Sequence, residues 1–389
     1  MENKFNPNYA RLLTAACFFA FFIFGVTDNL KGSTLPPMLA ELNIDYGSGG
    51  NIFFGQYAGF FIASLLAGLI ADKYGLKVAM LFASICLFIG IVGYSSLSAS
   101  SLLFISLFVL GLGLGSFELG SNATIVNIYK EQKGLYLNLM GVMHGLGSTI
   151  APLFAGWLLN QNVSWRTIYR WDLLLVIAFI LFAMFLQFPK PDEKSALNFK
   201  NITHTAFKDQ MPFYYIIIML YVGVEIGLAS WLVAYLQDVQ NLSISTSNQM
   251  LAVFFALIML GRLLGGFFVQ RFGYLQSILL ASLMSVISLA IGIFTDAYFF
   301  LPFTGFFLSI MFPTITAAVS DTHHENINTL LGVLFTIAGI GGTFGPWGIA
   351  WGSELFGLQI GFSLTLLMAI LLLIFVFILF RRTKDEQNS

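Results

Sequence analysis

The sequence predicts an all-helical integral membrane protein: twelve transmembrane helices in two pseudo-symmetric six-helix bundles. Three observations carry that prediction. The 389 residues are 58% hydrophobic and only 10% charged, against roughly 25% charged in a soluble domain. The apolar runs are about 20 residues long, the length of a spanning helix and twice that of a spanning strand. The second half of the chain also repeats short motifs of the first half in the same order.

Taken in order, the spans fall near 10–35, 50–71, 77–97, 101–129, 134–160, 168–188, 211–236, 246–269, 274–294, 297–320, 328–350 and 357–381. The first run, from about Arg11, is too long for a signal-peptide core and lacks a small-residue cleavage site, so it reads as an uncleaved span. Pro36 and Pro37 are expected to end its helix. The longest polar stretch, "FPKPDEKSALNFKNITHTAFKDQMP" (188–212), is Lys-rich and bounded by prolines. It reads as a cytoplasmic linker, 189–210, between an N-terminal bundle (1–188) and a C-terminal bundle (211–389). Lys and Arg set the orientation. With the N-terminus inside, the inner segments hold Lys4, Arg11, Lys73, Lys77, Lys130, Lys133, Lys190, Lys194, Lys200, Lys208, Arg271, Arg381, Arg382 and Lys384, and the outer loops little more than Arg166 and Arg170. Both termini are therefore expected in the cytoplasm of a multi-pass cell-membrane protein.

Composition excludes several classes. A net charge of −1 gives no reason to expect a nucleic-acid partner. Cys17 and Cys86 both lie in apolar runs and imply neither a disulfide framework nor a metal site. His323 and His324 share an inner loop without a companion ligand pattern. The Asn-x-Ser/Thr triplets at Asn162, Asn201 and Asn241 are common by chance. No nucleophile–base pair, nucleotide-binding loop or metal-ligand cluster is present, so no enzymatic activity, cofactor or metal is expected.

The internal repeat is specific. "GLIADKYG" (68–75) matches "GFFVQRFG" (266–273), "GSTIAP" (147–152) matches "GGTFGP" (341–346), and "GVTDN" (25–29) faces "GVEIG" (223–227), at offsets of 194 to 198 residues. The stretch 68–77 also fits a pattern Gly-x-x-x-Asp-Arg/Lys-x-Gly-x-Lys/Arg. Here Gly68 is expected to permit close helix contact, Asp72 to pair with a helix end or an arginine, and Lys73 and Gly75 to complete a tight cytoplasmic turn. The alternative is a solvated loop with ordinary charges.

Chemistry concentrates at a few polar residues in the spans. In "GSFELGSNATIVN" (115–127), Gly111, Gly115, Glu118 and Asn122 recur at steps of 4, 3 and 4 and share one helix face. The glycines allow a neighbouring helix to come close. An ionised carboxylate at mid-membrane costs on the order of 2.5–3.5 kcal/mol or more, which favours a protonated state or a water-lined cavity for Glu118. The alternative is a neutral acid acting as interhelical glue. Glu225 is a second mid-membrane acid, in span seven, with Tyr221 one turn before it. Asp28 and Asn29 lie late in span one, where Lys31 could pair with Asp28 at the helix surface. His144 in span five could donate to a sugar hydroxyl, relay a proton, or be an interhelical donor. Arg262 in span eight either snorkels to the surface or pairs with an acid of an inner gate. Gln56, Tyr57 and Trp231 are further candidates to meet a ligand.

Together these motifs resemble the major facilitator superfamily, in which a six-span unit is duplicated in parallel, and within it the fucose–proton symporter family and its hexose-transporting relatives. "FELGSNATIV" resembles that branch's Leu-Glu-x-x-x-Asn. "YVGVEIGLASWLVAYL" resembles Tyr-Val-Gly-x-Gln followed by Trp and Tyr, with Glu225 in place of the glutamine. "GRLLGGFFVQRF" is similar to Gly-Arg-Phe-x-Gly, and "SIMFPTI" to Ser-Ile-x-Tyr-Pro-Thr-Ile. His144 stands where fucose-type members have asparagine, and Gly32 where they have a second acid, with Asp28 one turn away.

The resemblance implies a monomeric symporter working by alternating access. Glu118 would bind the coupling cation, a proton or, as in some relatives, sodium, with Asp28 and Glu225 assisting. It implies contacts from Asn29, Gln56, Tyr57, Asn122, His144, Tyr221 and Trp231 to a small polar solute, above all a monosaccharide. It places Gly68, Asp72, Lys73, Gly75 and Arg262 in the gate. Two other readings stand beside it. One is proton-coupled efflux of a drug-like or other metabolite substrate, favoured if an acid serves only cationic compounds. The other is a non-transporting nutrient sensor, which a tail of nine residues after Phe380 argues against.

Overall fold

The computed structural model describes residues 7–188, 210–322 and 327–388. These form thirteen helices and no strand: α1 Pro7–Leu42, α2 Tyr46–Tyr74, α3 Leu76–Ser96, α4 Ser100–Ile128, α5 Lys133–Asn160, α6 Trp165–Met184, α7 Met211–Asp238, α8 Ile244–Phe272, α9 Tyr274–Phe294, α10 Phe300–Leu308, α11 Met311–Thr322, α12 Ile327–Phe356 and α13 Leu358–Asn388. Among the described residues, 12 spans are long and apolar enough to cross a membrane, with α10 and α11 together making the tenth. Nearly all of the expected linker (189–209) lies outside the described residues, with Lys190, Lys194, Lys200, Asn201 and Lys208. So do Lys4, His323 and His324.

The helices cluster into two compact units. The first holds α1, α3–α6 and α2 from Asn51 onwards. The second holds α7–α13 with Asp45–Gly50. In the first, a Cβ on Gly25 of α1 would fall on the His144 carbonyl oxygen of α5, and one on Gly147 of α5 on the Phe22 carbonyl oxygen. In the second, a Cβ on Gly345 of α12 would lie 2.6 Å from the Gly223 Cα of α7, and one on Gly341 on the Met219 carbonyl oxygen. The repeated glycines thus mark equivalent crossings, where backbones touch because no side chain intervenes.

The connections explain other repeated residues. α2 and α8 each stop at a glycine with positive φ, Gly75 (90°) and Gly273 (83°), a conformation that costs glycine nothing. Gly68 corrects the expectation of close helix contact: a Cβ there would meet nothing within 4 Å, so Gly75, at the turn itself, is the position that geometry restricts. Asn43, Asn162 and Asn241 adopt the left-handed conformation, with φ of 50°, 60° and 53°, as asparagine tolerates. Two residues after each, an oxygen-bearing side chain accepts from the next helix: Asp45 from the Ser48 N–H (2.6 Å), Ser164 from Thr167 (3.3 Å) and Ser243 from Thr246 (3.1 Å). The triplets at Asn162 and Asn241 are therefore chain reversals followed by N-caps.

Two prolines behave differently from expectation. α1 does not end at Pro36 and Pro37 but carries both within the helix and runs to Leu42. Prolines persist inside spanning helices because packed neighbours support the interrupted backbone, and Leu35, Met38 and Leu39 around them are buried. The tenth span instead breaks after Leu308 and resumes at Met311. Pro313 lies in the first turn of α11, where its missing N–H is least costly.

Gly147→Ala is expected to lower the stability of the purified protein by about 1–3 kcal/mol through overpacking, read as a drop in melting temperature in detergent. Gly68→Ala, facing open space, is expected to leave it unchanged or raise it by up to about 1 kcal/mol.

Candidate functional site

In the first unit the polar residues of α1, α2, α4 and α5 form a connected group. Lys31 donates to Asp28 Oδ1, and Gln56 Nε2 of α2 donates to the same oxygen. The Lys31 ammonium lies 4.5 Å from the centroid of the Tyr57 ring. The pair is not at the helix surface, as the sequence suggested. The Lys31 side chain is only 4% exposed, against 22% for Asp28, because α2 covers that face of α1 with Gln56 and Tyr57. Asn29 donates both amide hydrogens, to the Gly25 carbonyl and to Ser148 Oγ, at 2.9 Å each. That leaves only its carbonyl oxygen for a solute. His144 lies edge-on to Phe24 (4.7 Å) and 3.4 Å from Ser148 Oγ.

Glu118 and Asn122 are half-buried on α4. Their stripe begins at Gly111 and Gly115, where a Cβ would meet the carbonyl oxygens of Gln56 and Phe60 on α2. Glu118 has no hydrogen bond or ion pair among the described residues, and Asn122 has no hydrogen bond. Glu118 is within Coulombic reach of Asp28. The glycines therefore bring α2 against α4 and leave the acid one turn further on without a counter-charge.

In the second unit Tyr221 donates its hydroxyl to Glu225 Oε2, and Arg262 Nη2 of α8 stands 3.6 Å from Glu225 Oε1. Of the two readings of Arg262, the geometry shows pairing with an acid. Trp231 is fully buried and donates its indole N–H to the Pro346 carbonyl (3.0 Å). It has no free surface on which to stack a solute in this conformation. Among the described residues Asp72 makes no hydrogen bond or ion pair, and Lys73 lies 5.0 Å from the Tyr74 ring centroid.

Two groups escaped the sequence reading. Asp172 of α6 is 4% exposed. Its Oδ2 accepts from Thr27 of α1 at 2.7 Å, and its buried Oδ1 has no partner. The signal that could have found it is a carboxylate leading directly into the apolar run of its span. The second group is Arg166, which bonds Glu41 (2.6 Å), the Leu97 carbonyl (2.6 Å) and Ser98 (3.2 Å). Arg170 reaches the Ser95 carbonyl at 3.2 Å. Both arginines, which stand in the first turns of α6 and not in a loop, thus tie helix ends together. No group of three or more His, Cys, Asp or Glu side chains able to hold a metal occurs among the described residues.

A helical membrane protein of two repeated units, with buried and half-buried acids and amides along its spans, has the build of a transporter. The sequence profile of the Major Facilitator Superfamily matches residues 17–346 and 245–389, and the chain belongs to that superfamily of membrane transporters. It is 27% identical over 368 residues to a protein named glucose/galactose transporter from Brucella abortus biovar 1 (strain 9-941), covering 89% of this chain and 88% of that one. Its fold is similar to that of the nucleoside transporter NupG, with a TM-score of 0.78 at 16% identity over 97% of this chain and 99% of that one. It is similar also to the transporter FucP in the outward conformation, with a TM-score of 0.65 at 20% identity over 94% and 98%.

Thr27→Val, which strands Asp172 Oδ2 as well as Oδ1, is expected to destabilise the protein by about 1–3 kcal/mol. Adding Asp172→Leu removes both polar partners and is expected to recover part of that loss. Additive losses in thermal melts of the single and double variants would show that the two side chains are not coupled.

Proposed function

We propose that the protein is a cation-coupled sugar symporter, that Glu118 carries the coupling cation, and that this cation is a proton. One observation carries the assignment of Glu118. Asp28 is paired with Lys31 and hydrogen-bonded by Gln56, Glu225 is paired with Arg262 and hydrogen-bonded by Tyr221, and Asp172 is hydrogen-bonded by Thr27, whereas Glu118 has neither kind of partner among the described residues. A fixed cation would hold a carboxylate ionised. A carrier must gain and lose its charge as the chain cycles, and hydrocarbon burial makes the neutral form the one that crosses.

The sugar assignment draws on the glucose/galactose relative and on the polar lining. In the first unit Asn122, His144, Gln56 and the carbonyl oxygen of Asn29 suit a hydroxyl-rich solute, since amides bond to hydroxyls, and Tyr57 offers an aromatic ring beside Gln56. Transport proceeds by alternating access between an N-terminal bundle (1–188) and a C-terminal bundle (211–389) of a monomer, joined by a cytoplasmic linker, with both termini in the cytoplasm. Asp72, Lys73 and Gly75 form the turn that latches the inner gate, and the Glu225–Arg262 pair switches with it.

Uptake of labelled monosaccharides into proteoliposomes under an imposed proton or sodium gradient tests this reading. Proton-driven accumulation of at least one hexose is expected. Glu118→Gln is expected to keep sugar exchange and lose gradient-driven accumulation. Absence of gradient-dependent uptake across the panel would sink the symport reading, and unchanged accumulation in Glu118→Gln would remove this residue from coupling.

A further inference from the structure

Lys31 is a buried ammonium that the proposed cycle does not use. It sits on the same helix as Asp28, three residues later, and donates to Asp28 Oδ1. The side-chain amide of Gln56 converges on that same oxygen, and the Tyr57 ring faces the ammonium at 4.5 Å. Remove the lysine head group and what remains is a carboxylate, a side-chain amide and a phenol around a space of one positive charge. Rotation of the Gln56 amide would turn its carbonyl oxygen towards that space. Oxygen donors of this kind suit a hard cation. The remaining titratable groups facing the pair are Glu118 from α4 and Tyr169 from α6, both within Coulombic reach of Asp28, and among the described residues no second cation pairs with it.

We propose that Lys31 is a tethered cation that occupies a latent sodium site at Asp28 and thereby makes the transporter selective for protons. The inference rests on the reading of Glu118 as the coupling acid. With the ammonium in place, Asp28 is already neutralised and has no net charge to offer a metal ion. The coupling charge then changes at Glu118, whose uptake of a proton needs no ring of oxygen ligands. The covalent tether holds the ammonium at high effective concentration beside its carboxylate, so free sodium competes poorly at any physiological level.

The test is binding of ²²Na⁺ to the purified full-length protein in detergent, without sugar and without a gradient. The wild type is expected to show no saturable binding. Lys31→Met is expected to gain saturable binding that potassium does not displace, and the double variant Asp28→Asn/Lys31→Met to lose it. Lys31→Arg, which keeps the charge, is expected to behave as the wild type. Saturable, Asp28-dependent sodium binding by the wild type would overturn the proposal. So would its absence from a monodisperse Lys31→Met protein. Lys31→Gln replaces Lys31→Met on the same terms if the methionine variant does not fold. Because no sugar enters this assay, its failure leaves the sugar assignment standing, and a failure of sugar uptake leaves the sodium result readable.

Discussion

Hydrocarbon offers an ionised side chain neither water nor a counter-charge, and that cost orders the polar groups of both units. Asp28 meets it with Lys31 and Gln56, Glu225 with Arg262 and Tyr221, and Asp172 in part with Thr27. The Gln56–Asp28 hydrogen bond and the Arg262–Glu225 pair need helices close enough for short contacts between α1 and α2 and between α7 and α8. Small residues supply that closeness elsewhere in each bundle, as where Gly25 and Gly147 bring α1 onto α5 and Gly223 and Gly345 bring α7 onto α12. Glu118 stands apart because the glycines before it draw α2 to α4 without bringing a basic residue.

The repeat gives this arrangement a logic. Each unit carries an acid on its first helix that is held by a base: one within the same helix, the other from the next. An i, i+3 pair is rigid and stays together as the helix moves. A pair between two helices, such as Glu225 and Arg262 at 3.6 Å, is one that relative motion of α7 and α8 can tighten or break. The first helix of each unit therefore carries a static neutralisation in one unit and a contact able to respond to helix movement in the other.

Much of the fold was legible because it is written in periodicity and composition. Span count follows from run length, and the duplicated glycines mark real crossings. The Glu118 stripe was read correctly as one helix face because helical spacing is a local property. Tertiary facts were less accessible. Sequence spacing places Lys31 beside Asp28 but says nothing of the Gln56 and Tyr57 side chains that bury the pair. Asp172 is partnered by a residue 145 positions away, and no local pattern announces that. Pro36 and Pro37 looked like a helix end because the local rule disfavours proline inside helices, while packing in a membrane bundle overrides it. Gly68 belongs to a recognisable pattern, yet the position that geometry restricts is Gly75, where φ is 90°.

The central claim is that Glu118 is the intramembrane carboxyl whose protonation changes in the cycle. Infrared difference spectroscopy of the protein in lipid, recorded as pH is stepped, reads this directly through the carbonyl stretch of protonated carboxyl groups. The pH-dependent part of that band is expected to vanish in Glu118→Gln and to persist in Asp28→Asn. A titrating band that survives in Glu118→Gln and disappears in Asp28→Asn would contradict the assignment and move the coupling site to α1.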